Sequence, residues 1–110
     1  MNYTELTKKI YNKEYETKLP YPMYEDKKKT EDEIIKDREK LKAYYEDDRR
    51  LRQEFEKDCY VYASEKLAIS NYPAFKFVFD EAYEVGHSEG YLGVLNYLDN
   101  YLDMIKRYIK

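Results

Sequence analysis

The run Ala82-Tyr-Glu-Val-Gly86-His-Ser-Glu-Gly90-Tyr-Leu-Gly93, in the C-terminal third of the chain, decides the fold. Its small residues recur four, four and three positions apart, which places Ala82, Gly86, Gly90 and Gly93 on one stripe of a helix. Each glycine costs about 1 kcal/mol relative to alanine inside a helix, so the stripe needs a structural reason. The spacing predicts a tight crossing with another helix. A break near Gly86–Ser88, or a notch for a ligand, are the alternatives.

Apolar residues around this stripe predict a single helix over residues 72–110. They recur at three and four in two groups: Phe75, Val78, Phe79, Ala82, Val85 and Gly86, then Leu95, Leu98, Leu102, Ile105 and Ile109. Asn71 is a good N-cap, and Pro73 fits the first turn because its missing N–H is not needed there. Lys106 and Arg107 near the far end suit the helix dipole.

The middle of the chain predicts a second, longer helix over residues 30–68. Thr30 followed by Glu33 is a capping-box pattern, and no glycine or proline interrupts the next stretch. The predicted apolar stripe of this helix is narrow and consists of Ile34, Leu41, Tyr44, Tyr45, Leu51, Phe55, Cys59, Tyr62 and Ala63. The mixed charges from Glu46 to Glu54 are typical of a solvated face, with electrostatic docking as the alternative. Two long helices joined by a short turn at 70–73 should lie antiparallel.

The first 29 residues form a Tyr- and Lys-rich arm. Leu6 and Ile10 favour a short helix over residues 4–12. In Lys18-Leu-Pro-Tyr-Pro-Met-Tyr24, each proline pushes the preceding residue towards extended geometry, which predicts a strap lying along the helices. A free proline-rich ligand motif is the alternative.

The expected fold is therefore all-α, with one domain over residues 1–110. It consists of a long antiparallel helical hairpin, a short N-terminal helix and an extended proline-containing strap. A lone hairpin of this length leaves apolar surface uncovered, so a dimeric bundle is the alternative to a monomer.

Composition excludes several classes of protein. The net charge of −3 disfavours direct nucleic-acid binding through a basic surface. A protein that mimics nucleic acid should be far more acidic than this, so a mimic is only weakly supported. The sequence contains no run of about 20 apolar residues, so it predicts no membrane span. The first residues lack the apolar segment of a signal peptide. One unpaired cysteine is typical of a reducing compartment, so a cytoplasmic location is expected.

The sequence predicts no catalytic, metal or cofactor site, and hence no enzyme. His87 is the only histidine and Cys59 the only cysteine, whereas a zinc site needs three or four converging ligands. A Ser–His or Cys–His pair would need a contact that the sequence does not specify. His87 and Ser88 remain the candidates for a ligand notch or a small hydrolase.

The tyrosines carry the main functional signal. There are fifteen, more than so small a core can absorb, and tyrosine is enriched at protein interfaces. The predicted interface anchors border the apolar stripes: Tyr44, Tyr45, Tyr60 and Tyr97. Aromatic residues also stack on single-stranded bases, but this needs accompanying positive charge, which only the arm carries.

Two segments resemble small accessory proteins of tailed bacteriophages and prophages. They are Tyr11-Asn-Lys with Lys18-Leu-Pro-Tyr-Pro, and the run from Glu81 to Tyr97 that contains Gly86-His-Ser-Glu-Gly-Tyr91. The resemblance implies a phage gene that acts inside a bacterium. Small phage proteins of this kind commonly bind, inhibit or redirect a host protein, including components of host immunity.

The functional hypothesis is a non-enzymatic phage protein that binds a host bacterial protein, plausibly as an anti-defence (anti-CRISPR-like) factor. The alternatives are a small-ligand binder such as a sponge for a nucleotide signal, a weak nucleic-acid mimic, and a hydrolase that uses His87.

Overall fold

A computed structural model describes residues 1–21, 30–68 and 71–108. The chain forms α1 (Tyr3–Tyr11), α2 (Glu31–Leu67), α3 (Tyr72–Gly86) and α4 (Gly90–Tyr108), with a single 3-10 turn at His87–Glu89. No strand occurs in these three ranges, and the predicted all-α class is confirmed. None of the described helices combines the length and the apolar composition needed to cross a bilayer.

Polar side chains begin the helices as the sequence predicted. The Thr30 hydroxyl accepts a hydrogen bond from the Glu33 backbone N–H at 3.3 Å, and Asn71 accepts one from Ala74 at 3.2 Å. Both bonds satisfy N–H groups that a helix start leaves without a partner. Ala68 follows α2 in the left-handed conformation, with φ 54°, where the helical path ends.

The prediction of one helix over residues 72–110 is wrong, because the chain folds back between α3 and α4. Gly90 has φ 79° and ψ −170°, a backbone region that is essentially restricted to glycine and incompatible with a continuous α-helix. The alternative of a break near Gly86–Ser88 is the correct one. The antiparallel hairpin with the closest packing is α3 and α4, and α2 contacts both of its helices.

The glycine stripe brings these two arms together. A Cβ atom on Gly86 would lie 2.7 Å from the carbonyl carbon and oxygen of Gly93, and one on Gly93 would lie 2.6 Å from the Gly86 carbonyl oxygen. The tight crossing is therefore real, but it joins two halves of the run itself. Ala82 is fully buried beside it, whereas Gly90 faces open space and does not belong to the stripe.

The core lies between the hairpin, the second half of α2 and the N-terminal segment. The Phe55 ring packs against Phe79 and Tyr91, with ring centroids 6.0 and 4.7 Å apart, while Leu6 is completely buried. The buried apolar residues that the sequence predicted are Leu51, Phe55, Cys59, Tyr62, Ala63, Phe75, Phe79, Ala82, Leu95, Leu98 and Leu102. The prediction of Val85 as a core residue is wrong, since its side chain is exposed. Ile109 lies outside the described residues.

The first half of α2 extends beyond this core. No residue from 31 to 50 is buried, so the apolar stripe predicted for α2 does not reach the core at Ile34, Leu41, Tyr44 and Tyr45. The molecule accordingly measures 64 Å in its long dimension and 26 × 20 Å across. The described part of the strap, 17–21, is non-helical as expected, while Met23 and Tyr24 lie outside the described residues.

A polar clamp fixes α2 against α4. The Lys66 ammonium group lies 2.6 Å from carboxylate oxygens of both Asp99 and Asp103, and the Tyr62 hydroxyl donates to Asp99. The Lys66 ammonium lowers the pKa of Asp103 from its ordinary value. Burial and the bond to Asp99 raise the pKa of Tyr62 to about 12.

We expect Gly86→Ala to lower the free energy of unfolding by roughly 1–3 kcal/mol, the usual range for overpacking. Helix propensity alone favours alanine by about 1 kcal/mol, so the sign of the effect tests the backbone contact with Gly93. Urea unfolding measures it, with Ser88→Ala in the exposed turn as a control. A more stable Gly86→Ala variant would contradict the close approach.

Alkaline pH should weaken the fold through Tyr62. Between pH 10.0, the ordinary pKa of tyrosine, and about 12, the unfolded chain loses the Tyr62 proton while the folded chain keeps it. The free energy of unfolding therefore falls as pH rises through this window. Tyr62→Phe removes this contribution, so its stability curve should be flatter there than that of the wild type in denaturant titrations. Parallel curves would show that Tyr62 titrates alike in both states.

Candidate interaction surface

His87 acts as a cap at the end of α3. Its Nδ1 lies 3.1 Å from the carbonyl oxygen of Tyr83 and 2.9 Å from that of Glu84, and its ring stacks on Tyr83 at 5.8 Å between centroids. Because carbonyl oxygens only accept, Nδ1 carries the donated proton. The imidazole thus satisfies carbonyls that the helix end leaves open. Ser88, the other candidate for a ligand notch, is exposed in the turn.

Cys59 lies in the core, away from the exposed turn that carries His87. Its thiol is completely buried, and this burial raises its pKa well above the ordinary value. The nucleophilic thiolate is therefore disfavoured at neutral pH. Within 1–21, 30–68 and 71–108, no three His, Cys, Asp or Glu side chains converge as metal ligands.

A pocket of about 260 Å³ lies beside His87 and is the nearest feature to the expected ligand notch. Arg52 lines it together with Glu16 and Asp48. The Arg52 guanidinium is already paired with Asp48 at 3.1 Å and lies 5.5 Å above the Tyr83 ring. An anionic ligand such as a nucleotide would meet two carboxylates and a cation whose charge is already paired, so this pocket is a poor phosphate site.

The four predicted interface tyrosines occupy three separate places. Tyr60 is half-buried between α2 and α3, with its ring 5.2 Å from those of both Tyr72 and Phe75. Tyr97 packs from α4 against the core. Tyr44 and Tyr45 alone lie together, on the part of α2 that extends beyond the core. The set therefore does not form one surface.

A cluster of Tyr21, Tyr44 and Tyr45, here called the tyrosine cluster, forms on that part of α2. The Tyr21 ring lies 5.1 Å from Tyr44 and 6.4 Å from Tyr45, both edge to face, and the two α2 rings are 5.7 Å apart. The hydroxyl oxygens of Tyr21 and Tyr45 are 3.4 Å apart. Tyr21 and Tyr45 remain 55% and 53% exposed. The three rings thus pack on one another while Tyr21 and Tyr45 stay open to solvent.

Sequence reasoning overlooked a second apolar surface, the outer hairpin face. It is a groove of about 450 Å³ along α3 and α4, lined by Phe77, Val78, Glu81, Tyr101, Met104, Ile105 and Tyr108. Phe77 is 70% exposed, Met104 52% and Tyr108 86%. The spacing of Phe77 and Glu81, and of Tyr101, Met104 and Tyr108, is itself helical. This second stripe, beside the stripe that faces the core, was the signal in the sequence.

Replacing His87 by alanine should lower the free energy of unfolding by about 1 kcal/mol, the net value of a typical hydrogen bond. Binding to a partner protein should be retained, because the role of the imidazole is to cap α3. Thermal unfolding and a binding assay on the same preparation separate the two effects. Loss of binding with an unchanged fold would instead make His87 part of a ligand site.

No curated protein and no solved structure shows significant similarity to this chain. One family model, described as a family of unknown function, matches residues 4–108, from the second residue of α1 to the end of α4. The match covers all four helices, so the chain belongs to the family of unknown function DUF8546.

Proposed function

We propose that this protein is a non-enzymatic interaction protein that contacts a partner protein through the tyrosine cluster. The observation that carries the proposal is the mutual packing of three partly or largely exposed rings where Tyr21 meets a segment of α2 without buried residues. Tyrosine offers a large contact area with few rotatable bonds, and aromatic anchors contribute much of the energy at protein interfaces.

The charges around the cluster support recognition by aromatic contact. Arg50 pairs with Asp47 and with Glu54, at 2.9 Å in each case, and Arg52 pairs with Asp48. These pairs neutralise one another along α2, so the segment has no strong field of one sign to steer a charged partner. Exposed tyrosines bordered by paired charges match the apolar centre and polar rim of a non-obligate interface.

The partner that we propose is a bacterial host protein. This part of the proposal rests on the resemblance of the Leu-Pro-Tyr-Pro segment and the Gly86–Tyr91 run to accessory proteins of tailed phages. A small phage protein gains by binding and inhibiting or redirecting a host factor, and a defence component is the proposed target. The protein would then act by occupying a surface of that target, in the manner of an anti-CRISPR factor.

Combined substitution of Tyr44 and Tyr45 by alanine should abolish partner binding while the helices persist. Loss of an interface anchor costs at least about 2 kcal/mol, or roughly 30-fold in Kd. Partners captured from bacterial lysate are identified by mass spectrometry, and the purified complex is then measured by calorimetry. Tyr11→Ala is the matched control, because Tyr11 is 69% exposed and lies outside the cluster.

Salt dependence gives a second readout of the same proposal. Binding through aromatic anchors should weaken only modestly between low and physiological ionic strength, since exposed charges alone are screened over this range. A steep salt dependence, with the double tyrosine variant binding normally, would overturn the proposal. It would point to the charged face of α2 and to mimicry of nucleic acid.

A further inference from the structure

The chain that leads into the strap begins from a buried anchor. Lys13, with φ 58°, turns the backbone after α1, and the Tyr15 side chain that follows is only 2% exposed. The Tyr15 ring packs edge to face on Phe55 with centroids 5.1 Å apart, and its hydroxyl donates to the Asp58 carboxylate at 2.5 Å. The Lys9 ammonium group lies 3.0 Å from the same carboxylate oxygen. Apolar and polar contacts together therefore hold residue 15 against the second half of α2.

Thr17 joins the strap to α2. Its hydroxyl oxygen accepts a hydrogen bond from the Leu19 backbone N–H at 3.2 Å. The same hydroxyl donates to the Asp47 carboxylate, and this bond, followed by the Arg50 guanidinium, lowers the pKa of Asp47 below its ordinary value. Because a hydroxyl has one proton to donate and two lone pairs, Thr17 makes both bonds at once. Asp47 lies three residues after Tyr44, on the same face of α2 as that ring.

The contacts of the strap follow α2 in reverse order, since residues 15, 17 and 21 meet Asp58, Asp47 and Tyr44 respectively. Tyr21 by itself is a weak attachment, because it stays 55% exposed and makes two edge-to-face ring contacts. Ordering one backbone residue costs at least about as much as one such ring pair contributes, and the five residues 17–21 are all ordered. The ring contacts alone therefore do not hold the strap, and the contact at residue 17 is needed.

We propose that Thr17 is a positioning residue of the interaction surface, which holds the strap on α2 through Asp47 and thereby keeps Tyr21 in the tyrosine cluster. This inference rests on the proposed function, because the surface that it completes is the tyrosine cluster. The partner then meets two chain segments, with the exposed Leu19 and Tyr21 of the strap beside the two tyrosines of α2. Its affinity depends on a threonine hydroxyl that bonds to α2 and not to the partner.

Limited digestion with trypsin measures how often the strap leaves α2. Trypsin cuts after Lys18 only when the segment is free to enter its active site, so the cleavage rate follows the population of the released strap. Thr17→Val keeps the shape of the side chain without its hydroxyl and should raise this rate roughly fivefold, the usual net value of one hydrogen bond. Asp47→Ala removes the acceptor and leaves the cleaved sequence unchanged, so it should raise the rate equally. Mass spectrometry identifies the cut.

Two further variants are the controls for this digestion. Thr17→Ser keeps the hydroxyl, so it should be cleaved at the wild-type rate. Glu54→Ala removes the other carboxylate that pairs with Arg50, at 2.9 Å, and it should also leave the rate unchanged. Synthetic peptides of residues 12–21 correct for the intrinsic effect of each substitution at residue 17 on trypsin. A wild-type rate for either Thr17→Val or Asp47→Ala would overturn the proposal.

Partner affinity shows whether the position of Tyr21 matters for binding. Titration calorimetry with the host protein identified by capture should give a Kd for Thr17→Val that is about two- to fivefold higher, because the fall in the docked fraction is limited by the loss of one hydrogen bond. In a Tyr21→Ala background the same substitution should have no further effect, since Thr17 acts through that ring. Equal effects in both backgrounds, or an unchanged Kd, would contradict the positioning role.

The outcomes separate this inference from the proposed function. Normal binding by the double alanine variant at Tyr44 and Tyr45 would refute the proposed partner contact, while the trypsin rates would still decide whether Thr17 holds the strap. Loss of binding in that double variant, together with a wild-type Kd for Thr17→Val, would refute the positioning role alone.

Discussion

The structure depends on the backbone contact between Gly86 and Gly93. Because neither residue has a side chain, the end of α3 and the beginning of α4 approach to a distance that a single Cβ atom would prevent. This contact aligns the two arms so that Phe79 on one and Leu95 and Leu98 on the other face the same side. The second half of α2 then covers that side with Phe55 and Cys59. If the two arms lay further apart, gaps would open in this core. Because protein interiors are packed at crystal-like density, such gaps would lower the stability of the fold.

The length of α2 divides the molecule into two regions. Its second half is held by the core and by the Lys66 clamp to α4, so its position is fixed. Its first half carries charged pairs and the tyrosine cluster, and it contributes nothing to the core. Because a helix that has already formed is extended more easily than a new one is nucleated, a helix anchored at one end can present side chains at a distance from the bundle. The position of Tyr44 and Tyr45 on this half distinguishes them from Tyr60 and Tyr97.

Two surfaces of different character result. The tyrosine cluster is small, bordered by paired charges and held by edge-to-face contacts, whereas the outer hairpin face is broader and almost wholly apolar. The match to DUF8546 covers residues 4–108, a range that contains the glycine contact, both surfaces and the capping histidine. The matched range also includes the buried Cys59.

The amino-acid sequence by itself determined the local features. Thr30 and Asn71 set the starts of α2 and α3, and apolar spacing identified most buried positions, because hydrogen bonds at caps and helical periodicity act over a few residues. It also indicated that the glycines permit a close approach. It predicted Tyr44, Tyr45, Tyr60 and Tyr97 as one set of interface anchors and gave no reason to separate the first two from the others.

Only the tertiary structure decided which backbone fills the glycine stripe and which apolar residues stay outside. A stripe of small residues is equally consistent with a neighbouring helix, a second chain or the other half of its own run, since periodicity carries no information about distant partners. Gly90 selects the last of these, because its positive φ reverses the chain. That reversal moves Val85 to the surface and leaves Phe77, Met104 and Tyr108 on the outer hairpin face. Burial depends on what packs against a helix, and that is a property of the whole fold.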